Sequence, residues 1–443
     1  MLQNKYFILL VSMFLFYTFP SYSDETKRLF IEITNPHIKK LPLAIMELSN
    51  LGIQTDQELL KEIRETLEFD LDVSGIFKLI PPKAFLTQKI NITNFSPDDW
   101  KVLGVNGVIT THFKLEGNQI NLEFRLFNVN TGTLVVGKRY SGTKDQARTM
   151  THYFGNELMS YYTGEPGVFS TKIAFVSNKT GTKELYTMDY DAKNIKQITY
   201  NNSINLNPDW SPNNEMLIYT SFKSGNPDIW IVNLKTNTHT QITTAKGLNT
   251  GPTWLPDGLH FIFASSSLTI QGDTDLFIMN YKTKVQKRIT HSKGITISPK
   301  VSHDGKKIAF VSGRSGQPHI YTMDIDGSKI FRITYAGRYN SSPAWFPKDD
   351  KLVFAGWNNE KFDLFIVNAD ATNMERLTNY SQSNEESSLS PDGRLIVFQS
   401  TRRTTNPKKR KTDLFLINSN GLGERPLLID FGEASSPSWS NRE

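Results

Sequence analysis

A short apolar strand recurs along the C-terminal part of the chain at nearly constant spacing. Its copies read IAFVS, LIYTS, FIFAS, IAFVS, LVFAG and IVFQS, and they begin at residues 173, 217, 261, 308, 352 and 396. Consecutive copies begin 44 residues apart, except that the copies at residues 261 and 308 are 47 residues apart. A fixed period of roughly 20 to 50 residues is typical of folds that repeat one supersecondary unit. The chain must therefore accommodate six copies of such a unit.

Each copy carries further strand signals. The second strands read ELYTMD, DIWIVN, DLFIMN, HIYTMD, DLFIVN and DLFLIN, and a third short strand ends in QIT, RIT or RLT in five copies. A fourth strand, of the type Pro-x-Trp, precedes the apolar strand in copies two to six. Copy one lacks it, but SPSWS at residues 436–440 supplies a match. Four short strands per unit predict a six-bladed β-propeller in which the C-terminal strand completes the first blade and removes a free edge.

The repeated aromatic residues have a structural interpretation. Trp210, Trp254, Trp345 and Trp439 fall in the fourth-strand motif, and most second strands add a Phe or Tyr. Neighbouring propeller blades need large apolar side chains between them. We therefore expect these aromatic residues to pack between blades rather than to form a platform for sugars.

The N-terminus predicts export. A short charged start is followed by an uncharged apolar run at residues 6–19, and Ser21 and Ser23 stand at a small-x-small site before Asp24. This pattern is typical of a cleaved signal peptide over residues 1–23, and the apolar run is short for a membrane span. We expect an exported protein that is not inserted in a membrane. The chain has no cysteine, and its net charge of +6 is spread along the sequence, which argues against nucleic-acid binding.

Residues 24–165 do not share the repeat and predict a small α/β domain. Residues 55–75 read as an amphipathic helix with a capping box from Thr55 to Glu58 and a stop at Gly75. Three strand patterns follow within residues 107–142, and a closing helix is expected at about residues 145–163. The predicted fold class is therefore mainly β, with this domain preceding a propeller at residues 166–443.

The sequence offers no catalytic constellation. The eight histidines do not recur at one place in the innermost strands, and the G-x-S-x-G, Walker and dinucleotide motifs are absent. We expect no catalytic residue, no metal and no other cofactor. Two alternatives stay open: a propeller enzyme of the polysaccharide lyase type, and a carbohydrate-binding sensor. The basic run at residues 402–411 is interpreted as a solvated loop, with an anionic envelope surface or partner as the alternative.

The order of these parts resembles the TolB family of the Tol–Pal system of Gram-negative bacteria. The resemblance rests on the secretion signal, the small α/β domain, GEPGVFSTKIAFVS at the junction and six blades closed from the C-terminus. It implies a periplasmic scaffold, not an enzyme, which binds the lipoprotein Pal at one mouth of the propeller and the inner-membrane protein TolA through an N-terminal segment. It also implies roles in outer-membrane integrity and cell division, and exploitation by colicins, with other outer-membrane proteins as further partners.

The resemblance also implies two sets of binding residues. The loops that enter the innermost strands are expected to form the Pal-binding rim, with the residues Leu206, Leu248, Asn249, Thr250, Ile297, Ser298, Asn340, Ser341, Glu385, Glu386 and Ser435. Family members can carry histidine where Leu248 falls and threonine where Ile297 falls. The TolA-binding segment is expected in residues 24–35, which alternate in polarity, with the core Leu29, Phe30, Ile31, Glu32 and Ile33. A permanently fixed first strand of the α/β domain is the alternative for this segment.

Overall fold

The N-terminal part of the chain folds around one mixed sheet. The computed structural model describes residues 39–86, 95–267, 269, 272–379, 383–403 and 410–442. The sheet contains β1 (Leu41–Ile45), β2 (Ser49–Asn50), β3 (Phe77–Leu79), β4 (Gly107–Glu116), β5 (Gln119–Asn128) and β6 (Thr133–Thr143). The α-helices of this part are α1 (Gln57–Val73), α2 (Asp98–Val102) and α3 (Ala147–Thr163).

The strand order of this sheet is β3-β1-β4-β5-β6, and β2 pairs with β4. The pairs β4–β5 and β5–β6 are antiparallel, as the sequence suggested, whereas β1 lies parallel to both β3 and β4. The apolar stripe of α1, which includes Ile63 and Leu67, packs with Phe124 of β5 and Phe154 of α3 in one buried cluster. The two long helices therefore provide the core of the domain.

The predicted capping box of α1 was wrong. Asp56 is the N-cap, and its carboxylate accepts a hydrogen bond from the backbone N–H of Leu59 at 3.2 Å. Lys144 holds the other carboxylate oxygen of Asp56 at 3.0 Å, whereas the hydroxyl of Thr55 accepts a bond from Asn50. A carboxylate caps a helix more strongly than a hydroxyl when a cation also supports it, because it satisfies the free N–H groups and the helix dipole together.

Six four-stranded antiparallel sheets follow. Blade 1 contains β7 (Lys172–Ser177), β8 (Glu184–Asp189) and β9 (Lys196–Gln197). Blade 2 contains β10 (Asn205–Trp210), β11 (Met216–Ser221), β12 (Asp228–Asn233) and β13 (Thr238–Gln241). Blade 3 contains β14 (Asn249–Trp254), β15 (His260–Ser265), β16 (Asp275–Asn280) and β17 (Gln286–Arg288).

The remaining blades repeat this pattern. Blade 4 contains β18 (Thr296–Val301), β19 (Lys307–Ser312), β20 (His319–Asp324) and β21 (Phe331–Arg332). Blade 5 contains β22 (Asn340–Trp345), β23 (Lys351–Asn358), β24 (Lys361–Asn368) and β25 (Glu375–Arg376). Blade 6 contains β26 (Ser383–Leu389), β27 (Leu395–Arg403), β28 (Arg410–Asn418) and β29 (Arg425–Leu428), and β30 (Ala434–Trp439) ends the series.

The C-terminal strand closes the ring. β30 pairs antiparallel with β7, with Ala434 opposite Ser177 and Trp439 opposite Ile173, so that blade 1 has the strand order β30-β7-β8-β9. The fold class predicted from the repeat, a mainly β protein with a six-bladed propeller behind a smaller domain of helices and strands, is confirmed. The boundary placed between residues 165 and 166 stays a prediction.

The tryptophans pack between blades as predicted. Trp210, Trp254, Trp345 and Trp439 are between 3% and 7% exposed, and each belongs to an apolar cluster that joins neighbouring sheets. The indole of Trp210 donates to the backbone oxygen of Ser438 at 2.9 Å. That bond ties one innermost strand to the next, which a side chain stacked on a sugar would not do.

The α/β domain packs on blades 1 and 6. Its buried cluster continues into Phe175 and Tyr186 of blade 1 and into Val397 and Leu416 of blade 6. Among the residues that the structure describes, no helix is both long and apolar enough to cross a bilayer. The two parts of the chain therefore share an apolar core at the junction where the ring closes.

Candidate functional site

The innermost strands of all six blades begin at the same end of the ring, and we call this end the mouth. These strands are β10, β14, β18, β22, β26 and β30, which are the first strands in the order of their sheets. The loops that enter them are those of the predicted rim. The α/β domain lies at the opposite end, because it contacts the turn at residues 189–191 that follows β8.

Every innermost strand contains a β-bulge two residues after its start, or three residues after it in β26. The bulged residues are Asn207, Gly251, Ser298, Ser342, Glu386 and Ser436, with φ between 48° and 60°. The strand pairing shifts register at each of them. A bulge twists and re-aims a strand, and it is favoured where a sheet borders a site. All six bulged residues line the central channel.

The sequence carried a signal for these bulges that we did not use. Five of the six residues directly precede a proline, as in the NPDW and GPTW motifs. Proline has no N–H to donate to a strand ladder and occurs within sheets at edges and bulges, so a break from regular pairing is expected there. Glu386 is the exception, since Ser387 follows it, and its left-handed conformation has no counterpart in the sequence pattern.

The bulges open a channel with a volume of about 590 Å³. Prolines, serines and inward edges of the interblade tryptophans supply much of its wall. One ion pair spans it: Lys300 Nζ of blade 4 lies 2.7 Å from Asp209 Oδ1 of blade 2. Because this bond joins blades that are not neighbours, it narrows the channel and holds its wall.

Two adjacent carboxylates mark one side of the mouth. Glu386 Oε2 accepts a hydrogen bond from Ser436 Oγ at 2.6 Å. Burial, reinforced by the neighbouring Glu386, raises the pKa of Glu385 to about 7. Glu385 therefore changes its charge near neutral pH, and a cationic group brought to this edge would favour the ionised form.

The predicted rim residues fall into three groups. Leu248, Thr250, Ile297, Ser298 and Glu386 line the channel. Leu206, Ser341, Glu385 and Ser435 are partly exposed in their strands. Asn249 and Asn340 are only 1% and 3% exposed. Their side chains are too buried to touch a partner, so the proposed contact set narrows to the other nine residues.

Asn249 has an internal role, because it belongs to a buried hydrogen-bond group that we call a clasp. Its amide donates to Asp228 Oδ1 at 3.1 Å and its carbonyl oxygen accepts from Ser265 at 2.8 Å. Thr243 Oγ1 donates to the same carboxylate at 3.1 Å and accepts from the backbone N–H of Ile229. The clasp joins blade 2 to blade 3 directly beneath the mouth.

Equivalent clasps recur between consecutive blades from 1 to 6, with substitutions in three of them. Their members are Glu184, Thr199, Asn205 and Ser221; Asp275, Thr290, Thr296 and Ser312; His319, Thr334, Asn340 and Gly356; and Asp363, Thr378, Asn384 and Ser400. Buried polar groups that are fully bonded hold loops in one conformation. The clasps therefore make the mouth a rigid frame.

The junction of blade 6 with blade 1 is different, and we call it the seam. Leu428 and Ala434 occupy the two positions at which the other junctions have threonine or asparagine. Neither side chain can donate a hydrogen bond to the carboxylate of Asp413. Its carboxylate accepts from the backbone N–H of Asp430 at 3.1 Å, and burial raises its pKa. The seam therefore depends on the pairing of β30 with β7 rather than on a clasp.

Three predicted features lie outside the described residues. They are the signal peptide at residues 1–23, the segment with Leu29, Phe30, Ile31, Glu32 and Ile33, and residues 404–409 of the basic run. Within the described part of the chain, no group of three or more His, Asp or Glu side chains is arranged to hold a metal ion.

Comparison with known proteins supports the resemblance to the TolB family. The family model described as the TolB beta propeller domain matches residues 159–443, and the model of the TolB amino-terminal domain matches residues 29–135. The crystal structure of TolB from Acinetobacter baumannii has a TM-score of 0.80 and 25% identity, over 91% of this chain and 98% of that chain.

Two curated relatives agree with these matches. The Tol-Pal system protein TolB of Geobacter sulfurreducens is 38% identical over 194 residues, which are 44% of this chain and 45% of the relative. The same protein of Geobacter metallireducens is 35% identical over 212 residues, 48% of this chain and 49% of the relative. The chain thus spans about half the length of the curated relatives it matches. Since the propeller model alone covers more than half of the chain, the chain belongs to the TolB family of Tol–Pal system components.

Proposed function

We propose that this chain is a periplasmic scaffold that binds Pal at the mouth and TolA through residues 24–35. In this role it maintains outer-membrane integrity and supports envelope constriction during division, and colicins are expected to exploit the same surfaces. The observation that carries the proposal is the mouth itself. Six bulged strands and five clasps hold partly exposed loops in a fixed frame around a channel. Loops presented by a rigid scaffold are a common binding surface.

The same geometry favours a scaffold over the alternatives. The four tryptophans of the fourth-strand motif are between 3% and 7% exposed and pack between blades, so none of these four side chains presents a platform for a sugar. In the channel wall, Lys300 is paired with Asp209, and Glu386 accepts a hydrogen bond from Ser436. A lyase needs a base that is free to reach its substrate. We therefore favour a binding role for the mouth, without a cofactor.

Substitution of Thr250 by arginine is expected to weaken the affinity for Pal by at least about tenfold, or about 1.4 kcal/mol. Thr250 lines the channel at the start of β14, so a long cation there would occupy the space of the partner. The matched control is Thr240→Arg in the outer strand β13, where the side chain is exposed. Isothermal titration calorimetry with purified Pal measures the affinity of each variant. Equal affinity of the two variants would move the site away from the mouth.

Reversing both charges of the acidic pair is expected to weaken Pal binding as well. The double variant Glu385→Lys, Glu386→Lys removes the anionic edge of the mouth and breaks the bond to Ser436. Mismatched charges at an interface cost both affinity and association rate. Calorimetry at low and at moderate salt measures the effect, and an affinity like that of the unmodified chain would exclude this edge from the interface.

Deletion of residues 24–35 is expected to abolish TolA binding and to leave Pal binding intact or tighter. The segment alternates in polarity and precedes Pro36, which suits an extended strand that adds to the edge of a partner sheet. Pull-down with TolA and calorimetry with Pal measure the two outcomes. If circular dichroism shows instead that the deletion variant has lost its fold, the segment is a structural strand and the proposed TolA-binding role fails.

A further inference from the structure

A buried titratable cluster joins the α/β domain to blade 1, at the end of the ring opposite the mouth. Asp70 of α1 is 0% exposed and His152 of α3 is 3% exposed. The Nδ1 atom of His152 lies 3.0 and 2.9 Å from the two carboxylate oxygens of Asp70. Tyr190, which follows β8 and is also fully buried, donates its hydroxyl proton to Asp70. One carboxylate thus holds together two helices and a blade.

The other side of His152 faces a second carboxylate. Its Nε2 atom lies 3.7 Å from Asp191 Oδ2 and has no hydrogen-bond partner among the residues that the structure describes. Arg148, one turn before His152 on α3, donates to Asp191 and, at 2.7 Å, to Asp189. The imidazole is therefore placed between two carboxylates, one in its own domain and one in the propeller.

When Asp70 is ionised, the charges of this cluster balance with a proton on His152. The carboxylates facing it are those of Asp70, Asp189 and Asp191, and the permanent cations are Arg148 and Lys172, which bonds to Asp189 at 2.7 Å. Tyr190 is a neutral donor. With neutral histidine one buried negative charge has no counterpart, and burial of an unpaired charge is strongly unfavourable.

The direction of the pKa shift of His152 agrees with this geometry. Although burial alone would lower it, the carboxylates of Asp70 and Asp191 raise the pKa of His152. Burial raises the pKa of Asp70. The raised pKa of His152 means that the closed interface keeps the imidazole proton to a higher pH than the open one. Its stability is then fully present below the ordinary pKa of histidine and is lost as the pH rises through the raised pKa.

We propose that His152 is a pH-sensitive latch between the α/β domain and the propeller, closed when the imidazole is protonated and loosened when it is neutral. The latch attaches the domain to blade 1, one of the two blades that meet at the seam, which is the junction without a clasp. The domain holds blade 1 through this cluster and blade 6 through Arg425 and Asp72, whose atoms lie 2.6 Å apart, and these blades flank the seam. Loosening the latch thus weakens the polar attachment of the domain to blade 1, and it leaves the shared apolar core and the Arg425–Asp72 pair in place.

Hydrogen exchange of the full chain at pH 6.0 and pH 8.5, corrected for the intrinsic pH dependence of exchange, tests the latch. We expect protection of α3 and of residues 184–191 to fall by at least about tenfold at the higher pH, since one unit of pKa difference changes the opening equilibrium tenfold. His152→Gln should show low protection at both values, with no remaining difference. The control His260→Gln, at a partly exposed histidine paired with Asp257, should behave like the unmodified chain.

Equal protection at the two pH values in the unmodified chain, or an unchanged difference in His152→Gln, would overturn the proposal. If His152→Gln does not fold, nuclear magnetic resonance of the imidazole in the unmodified chain decides the question. A measured pKa of His152 above that of a free histidine, at about 6.5, supports the latch, and one below it rejects the latch.

Discussion

Truncation of the chain after Leu428 is expected to lower the free energy of unfolding of the propeller by about 5 kcal/mol or more. The truncation removes β30, which supplies the fourth strand of blade 1 and the buried residues Ala434 and Trp439. Loss of one buried tryptophan side chain alone costs about 3–5 kcal/mol, and the truncation also exposes an apolar strand edge. Urea denaturation followed by circular dichroism measures the change.

A matched pair of point variants separates the closing strand from a general loss of aromatic residues. Trp439→Ala should cost about 3–5 kcal/mol, because the side chain is 7% exposed in the core shared by blades 1 and 6. Trp357→Ala, at a side chain that is 38% exposed on β23, should cost less than about 1 kcal/mol. A truncated chain with an unchanged unfolding midpoint would contradict closure through β30.

Substitution of Asp228 by alanine is expected to destabilise the ring by about 3 kcal/mol. The buried carboxylate accepts bonds from Thr243, Asn249 and Gln241, at 3.1, 3.1 and 3.0 Å. Removing it leaves those donors without their acceptor, and a buried donor without a partner costs about 1–3 kcal/mol. Because the clasp holds Asn249 at the edge of the mouth, we also expect the rim loop of blade 3 to lose protection against hydrogen exchange.

The seam provides the control for this variant. Asp413→Ala removes the equivalent carboxylate, for which the described residues supply one hydrogen bond, from the backbone N–H of Asp430, and it should cost less than about 1 kcal/mol. Chemical denaturation of both variants in parallel measures the difference between them. Equal losses would mean that the clasp side chains contribute nothing to the stability of the ring.

The propeller could be predicted well from the sequence, because each strand of the repeat is marked by a short contiguous motif. Several second strands have the predicted bounds, such as Asp228–Asn233 and Asp275–Asn280, since each begins at a buried polar residue and ends before a turn. The α/β domain was harder. The strand Leu41–Ile45 escaped notice because it is short, contains a proline and pairs in parallel with distant strands, which leaves no alternation to recognise.

The roles of individual residues at the mouth could not be predicted from the sequence. Asn249 and Thr250 are adjacent polar residues in one loop motif, yet the first is buried in a clasp and the second lines the channel. An asparagine suits both a partner contact and an internal bond, so residue type does not separate the roles. His152 and Asp70 were missed for a related reason: they lie 82 positions apart, and only packing of the two helices brings them together.

Hydrogen exchange of the full chain with and without purified Pal tests the central claim most directly, because it locates the contact without any substitution. We predict protection confined to the mouth, in the loops that enter the innermost strands and in residues such as Thr250, Ser298 and Glu386 of the channel wall. The outer strands and the α/β domain should keep their exchange rates. Protection of the outer strands alone, or no protection at saturating Pal, would contradict the account.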